Sequence, residues 1–400
     1  MEDHHAEKEN PLLSEEVLAD DSAEGHEKRL SRYSLAKARQ KQVADRILSR
    51  IVDPVTGETI GDTKGRDAKL HKSLDECGSF LLYRHYYELH KYRLLAGCTC
   101  KKHLLCALCA IRRAAKCVSI YSEKINQVTN GNEFDVVMIT WTVKNGFDLA
   151  ERYDHLQTSA QKLLQKRRDS LKKKPTQDTL FKHVAGAIYS YEVTADPESG
   201  FHPHIHMIAL VPKGMFKTKT MTIKKREVKV LPDLWAGLVE DWKSITGDSK
   251  IVDVRLIENE GDQMYALVET FKYALKMNEM DVDTQLHCYD ILAGRRMLGS
   301  MGALFGVKLP DNLNDDLLPG EEKFVDIVYQ YSGSTFGYQE ISRSGQGESK
   351  VDASTLGQRF KKKSGRGRNE SGLFTESDVN AWLEKKNQPF TKMVDELEWI

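Results

Sequence analysis

Residues 200–212 read GFHPHIHMIALVP, with His202, His204 and His206 at every second position. Side chains alternate faces along a β-strand, so a strand here sets all three imidazoles on one side. An apolar core would leave several ring nitrogens without partners, at a cost. Neighbouring neutral imidazoles on a rigid strand suit a divalent metal, each giving one nitrogen. Two histidines leave coordination positions open, so an oxygen ligand is expected. Glu192, in YSYEVT (189–194), lies on the preceding strand, and a hairpin would bring it alongside. The plainer alternative for Glu192 is an exposed strand carboxylate.

A second set lies in GDQMYALVETFKYALKMN (261–278). Helical spacing places Met264, Val268, Phe271 and Leu275 on a buried stripe. Away from that stripe, Glu269, Tyr273 and Lys276 sit at i, i+4 and i+7, so a carboxylate, a phenol and an ammonium share a face. A phenol, with a pKa of about 10, is a poor nucleophile at neutral pH. A nearby base, a lysine or a metal-polarised electrophile would each help it. Tyr265 shares the face, so spacing does not choose between the tyrosines, and an ordinary Glu–Lys surface pair fits the same pattern.

The third set is cysteine. Cys98, Cys100, Cys106, Cys109 and Cys117 are five of the seven cysteines and lie close together in sequence. Without an export signal, such clustering points to metal before disulfides. Cys106-x-x-Cys109 is a chelating pair, and Cys98 or Cys100 would complete a structural Zn²⁺ site. Cys77, His103 and Cys117 are alternative ligands, and reduced buried thiols are the other outcome. Arg112 and Arg113 follow directly and are placed to touch phosphates.

These residues need elements to hold them. FDVVMITWTV (134–143), GAIYSYEVT (186–194), the histidine stretch, IVDVRLIE (251–258) and KFVDIVYQY (323–331) read as strands. Pro203 inside the histidine strand suits an edge strand or a strand start. Helices are expected over 28–52, 148–173, 231–246, 261–278, 282–298 and about 375–386, with helical, cysteine-rich material over 66–129. The order β, α, β-hairpin, α, β, α predicts an α+β core, an antiparallel sheet with helices packed on one face. The expected organisation is a disordered acidic tail (1–27), a helical cysteine-rich DNA-binding region (28–129), a catalytic domain (130–308), an extension with a strand (309–342), a flexible basic Gly/Ser-rich segment (343–372) and a C-terminal helix (373–400).

Bulk properties narrow the class. The 400 residues carry 59 Lys and Arg against 59 Asp and Glu, a formal net charge of zero. Charge is nevertheless clustered: 162–174, 213–229 (with Lys224, Lys225 and Arg226) and 359–368 are basic, and such patches can bind phosphate backbones. No apolar run approaches the ~20 residues of a membrane helix. The acidic N-terminus has no apolar signal core, so a cytoplasmic location is expected. No Gly-x-x-x-x-Gly-Lys-Ser/Thr phosphate loop is present, so no ATP-driven helicase is expected in this chain.

Taken together, the motifs resemble those of the HUH endonucleases, in particular the rolling-circle plasmid replication initiators. HPHIHMIALV is similar to their His–hydrophobic–His strand, VMITWTVKN (137–145) to their first motif and ETFKYALK (269–276) to their third. ILAGRRMLGSMGALFG (291–306) is similar to a segment after the catalytic helix, and CTCKKHLLCALCAIRRAAK to the cysteine-rich segment. The likeness runs from about 74 to 308 in the expected order.

The resemblance implies a fold with an RRM- or ferredoxin-like core. It implies that His204 and His206 are the paired metal ligands, with His202 outside the pair as an assisting residue. It favours Tyr273 over Tyr265 as nucleophile, with Glu269 as the carboxylate that assists a second, terminating cleavage and Lys276 near the scissile phosphate. The implied cofactor is Mg²⁺ or Mn²⁺. The implied partners are single-stranded or hairpin origin DNA of a plasmid or phage-like replicon, a host helicase and a DNA polymerase. A transposase or relaxase of the same superfamily, a DNA-binding regulator without chemistry and a two-histidine zinc hydrolase are the rivals. The tyrosine follows the histidines, which speaks against a relaxase.

Overall fold

The computed structural model describes residues 21–130, 133–172, 178–223, 226–309, 313–318 and 323–345. They form two compact units, one within 102–311 and one made of 16–101 with the chain after 312.

The smaller unit begins with α1 (Ala23–Leu48). Ser22 caps it by accepting from the Gly25 amide at 3.1 Å, and Glu24 lies in the first turn. Both favour a helix N-terminus. Residues 23–27, expected to be disordered, are therefore helical; 1–20 lie outside the described residues. Tyr33, Ala36, Val43, Ala44 and Ile47 form the thin buried stripe. After α2 (Arg66–Glu76) come β1 (Phe80–Tyr86) and β2 (Lys91–Gly97), where helical material was expected.

The larger unit opens with α3 (Ala107–Thr129), followed by β3 (Phe134–Thr142) and α4 (Leu149–Leu171). The hairpin β4 (Gly186–Asp196) and β5 (Gly200–Pro212) comes next. The basic insertion forms a second hairpin, β6 (Lys219–Ile223) and β7 (Arg226–Val230). Then come α5 (Pro232–Thr246), β8 (Val252–Ile257), α6 (Glu260–Phe271), α7 (Tyr273–Met277), α8 (Val282–Leu292) and β9 (Leu298–Gly302). The helix expected to reach 298 stops at Leu292, because Gly294 turns the chain at φ +83°.

β10 (Val325–Ser332) and β11 (Gly337–Gly345) return to the smaller unit, whose sheet order is β11-β10-β1-β2. That pairing explains the misread strands: the partner of Phe80 is Gln330, far along the chain. Arg84 and Asp326 face each other across the pair and bridge at 2.9 Å. The expected helix near 375–386 and most of the basic segment lie outside the described residues.

The larger sheet has the order β6-β7-β8-β3-β5-β4-β9, antiparallel throughout. The α+β class and antiparallel sheet are as expected, and the helical cover extends to both faces. Trp141, Tyr189, Ile205 and Met207 point toward Ala160 and Leu163 of α4 and Trp242 of α5. The other face carries the histidines under α6 and α7.

β5 is a central strand, although Pro203 suggested an edge. The ladder to β3 ends at the Thr142–His204 pair, and the next contact on that side is Phe201 with Gly146. Residue 203 falls in the gap between them, where the missing N–H costs no ladder bond. Gly200 makes this entry feasible, with φ +82° and the Gly146 oxygen 2.6 Å from where a Cβ would sit. Gly200→Ala is expected to cost roughly 2 kcal/mol or more through left-handed strain and this clash. A lowered urea midpoint would report it, and an unchanged midpoint would contradict the strain argument.

Candidate metal and tyrosine site

The register of the central hairpin assembles the site. Glu192 pairs with His204 and Ser190 with His206 across β4 and β5, and Thr140 pairs with His206 from β3. His204 Nε2 lies 3.1 Å from Glu192 Oε1, and His206 Nε2 lies 3.7 Å from Glu192 Oε2. The opposite ring nitrogens are engaged: His204 Nδ1 with the His202 carbonyl at 3.1 Å, His206 Nδ1 with Thr140 Oγ1 at 3.2 Å. Such outer partners fix ring orientation and leave Nε2 for a ligand. Glu192, His204 and His206 present donor atoms within 4.8 Å of one another, a group able to hold a metal ion.

The donors also fit a cation electrostatically. Burial pushes the Glu192 carboxyl up, but the hydrogen bond from His204 and the charges of His204, His206 and Lys272 together outweigh it, leaving a pKa of about 2. Glu192 Oε2 is buried without a hydrogen bond among the described residues. Burial holds His206 down to about 4, which keeps it neutral. His204 is likewise opposed by burial, yet its contact with Glu192 leaves it raised. A buried carboxylate facing two imidazoles, with an unsatisfied oxygen, matches the nitrogen and oxygen donors that divalent ions take. His202, half-buried, stands with its ring 5.1 Å from that of His204, outside the converging group.

The helix expected over 261–278 is broken at Lys272 into α6 and α7. Thr270 Oγ1 bonds back to the Ala266 carbonyl at 2.8 Å, a contact that bends helices. Glu269 and Lys272 form an ion pair on the side that faces the strand group. Lys272 acts on Glu192 and His206, Lys276 on His206, and Glu269 on His204. Lys276 also lies 3.4 Å from Glu279. Nothing in the spacing singled out Lys272 or Thr140; register and the helix bend bring them in.

Tyr273 departs from the expected face. It is 3 % exposed, whereas Tyr265 is 46 % exposed. Burial raises the phenol, and a hydrogen bond with Arg113 opposes the rise. The His103 ring meets it edge-on, with centroids 6.1 Å apart. Glu269 and Lys276 thus turn toward the histidines, while Tyr273 turns toward α3.

Among the other expected residues, Arg112 is buried at 4 % exposure, away from any phosphate in solvent. Lys224 and Lys225 lie outside the described residues, and Arg226 begins β7. In the smaller unit the Cys100 amide donates to Cys77 Sγ at 3.2 Å. Cys77, one of the alternative ligands, thus stands beside Cys100. Cys98 packs against Phe80 and Val328, and burial pushes its thiol up to about 11. In the larger unit Cys106 caps α3, its Sγ accepting from the Cys109 amide at 3.4 Å.

Comparison with known proteins agrees with the motifs. Residues 91–339, more than half the chain, match the model of the family described as Replication protein. A protein named Protein rep from Bacillus sp. is 28 % identical over 273 residues, covering 62 % of this chain and 82 % of that protein. A Protein rep from Streptococcus pneumoniae serotype 2 is 29 % identical over 260 residues, covering 62 % and 68 %. No solved structure matches. The chain belongs to the Replication protein family, and its resemblance to rolling-circle plasmid replication initiators stands. No described helix is long and apolar enough to cross a membrane.

Proposed function

We propose that this protein initiates rolling-circle replication by nicking one strand of origin DNA with Tyr273 as nucleophile. The observation that carries the reading is the convergence of Glu192, His204 and His206 opposite Glu269 of α6, Lys272 at the helix break and Lys276 of α7. Glu192, His204 and His206 would hold Mg²⁺ or Mn²⁺. When bound, such a cation polarises a phosphoryl oxygen and orients the strand. The Tyr273 oxygen bonds to phosphorus as the 3′-oxygen departs, giving a 5′-phosphotyrosyl link and a free 3′-OH. The ester keeps the bond energy for rejoining, and the 3′-OH primes synthesis by a host polymerase, with a host helicase opening the duplex. Lys276 lies near the scissile phosphate. Glu269 acts as general base on water or on the second attacking group at termination, once its pairing with Lys272 is released.

A structural Zn²⁺ held by the Cys106-x-x-Cys109 pair is part of the same proposal. Two thiols at this spacing are the chelating half of a tetrahedral zinc site. Arg113 and the cluster Lys224, Lys225 and Arg226 are the proposed cations for origin DNA. In the cell the expected setting is the cytoplasm.

The test is to incubate the protein with Mn²⁺ and single-stranded oligonucleotides tiling the DNA that carries its gene, then run a denaturing gel. A covalent adduct with a free 3′-OH supports the nickase. Binding without an adduct supports a regulator, and neither result supports a hydrolase of small molecules. Thr140→Val removes the contact orienting His206 and is expected to weaken Mn²⁺ binding about tenfold by calorimetry. Unchanged affinity would mean that Thr140 does not serve the site.

A further inference from the structure

We infer that the β6–β7 hairpin is a ribbon that enters a groove of duplex origin DNA, with Lys217 and Lys219 on the phosphates beside it. The inference rests on the chain being an initiator that acts on origin DNA; it concerns how the duplex is held, not how a strand is cut. Residues 213–230 carry seven cations and a single carboxylate, Glu227. Both feet of the hairpin are fixed to the larger unit. Phe216 is buried, its ring 6.0 Å from that of His183. Val230 is fully buried and pairs with Arg255 of β8, and Lys229 is tied to Glu258 beside that foot.

Beyond its feet the hairpin stands clear of the sheet. β6 is the edge strand and pairs with β7 alone. Lys217, Lys219, Thr220, Met221 and Thr222 are all exposed, and neither lysine makes an ion pair among the described residues. Two strands of five residues make a ribbon ~17 Å long with its strands ~4.8 Å apart. The major groove of B-DNA, ~12 Å wide, admits such a ribbon. The register sets Thr220 opposite Lys229 and Thr222 opposite Glu227, so one face offers hydroxyls, an ammonium and a carboxylate to base edges. Each ammonium that meets a phosphate releases counterions from the duplex. A single strand is the poorer fit, since such strands are held by stacking on aromatic rings and residues 217–230 contain no aromatic residue.

Fluorescence anisotropy across a salt series tests the ribbon, with labelled duplexes tiling the DNA that carries the gene and the same sequences as single strands. Lys217→Gln with Lys219→Gln is expected to flatten the duplex slope of log affinity against log salt by about 1.8, the loss of two phosphate contacts. Single-strand affinity is expected to stay parental in that variant, which also shows that it folds. Lys217→Arg with Lys219→Arg is expected to keep the parental slope. Thr220→Val with Thr222→Val is expected to keep the slope and to narrow the spread of affinities among the duplexes; an unchanged spread overturns entry into the groove. A parental slope in the Gln pair overturns the proposal, and if that variant also self-associates, the lysines only guard the edge strand. An equal loss on single strands overturns it too, because the lysines would then serve the nicking site. The adduct gel reads the other level: a parent that binds duplex with the expected slope but forms no adduct removes the nickase and leaves the ribbon.

Discussion

Tyr273→Phe is expected to abolish the covalent protein–DNA adduct, and Tyr265→Phe is expected to leave it intact. The two tyrosines share a helical face by spacing, and the structure separates them. Tyr265 is an exposed side chain of α6, while Tyr273 is enclosed beside Arg113 and His103. A phenylalanine keeps the ring in that enclosure and removes only the oxygen. The cost to folding is then that of one hydrogen bond, roughly 1–2 kcal/mol. The cost to chemistry is the whole covalent step, on the order of 10⁴-fold or more, as for other enzymes stripped of their nucleophile. Gel analysis of the adduct, with a thermal melt of each variant beside it, decides the matter. An adduct that survives Tyr273→Phe, or one lost in Tyr265→Phe, would refute the assignment.

The smaller unit is expected to lose stability on acidification, through His26. This histidine of α1 is 4 % exposed, stacks on Tyr92 with centroids 4.0 Å apart, and meets the Tyr329 hydroxyl at 3.1 Å. Burial, with Arg29 and His85 nearby, lowers its pKa to about 3. An unfolded histidine titrates at about 6.5, so below that pH the unfolded chain takes a proton the folded one refuses. The stabilisation is therefore complete above about pH 6.5 and is lost as pH falls from there toward 3. Over the full window the linkage amounts to roughly 4–5 kcal/mol, a large share of a typical domain's stability. His26→Phe preserves a flat ring against Tyr92 and removes the titration. Urea midpoints should fall less steeply with acid in that variant. Equal slopes in parent and variant would show that His26 is not the titrating group.

Sequence alone determined what depends on local period. Alternation put His202, His204 and His206 on one face of β5 whatever the strand paired with. An apolar stripe at helical spacing marked α1 and α5, and Pro232 marked the start of α5. Motif order was enough to foresee the family. Tertiary structure decided what depends on partners distant in the chain. Only the ladder register could set Glu192 and Thr140 against the histidines, since a slip of one residue would turn each away. β1 and β2 were legible as strands only through β10, some 240 residues further on, because a half-buried pattern needs its partner to be distinguished from helix. The placing of Cys77, and not Cys98, beside the Cys100 amide has the same origin, since thiols of equal chemistry differ only in where the fold leaves them. So does the turn of Tyr273 toward Arg113, because helical spacing fixes an angle around an axis and packing alone fixes what stands there.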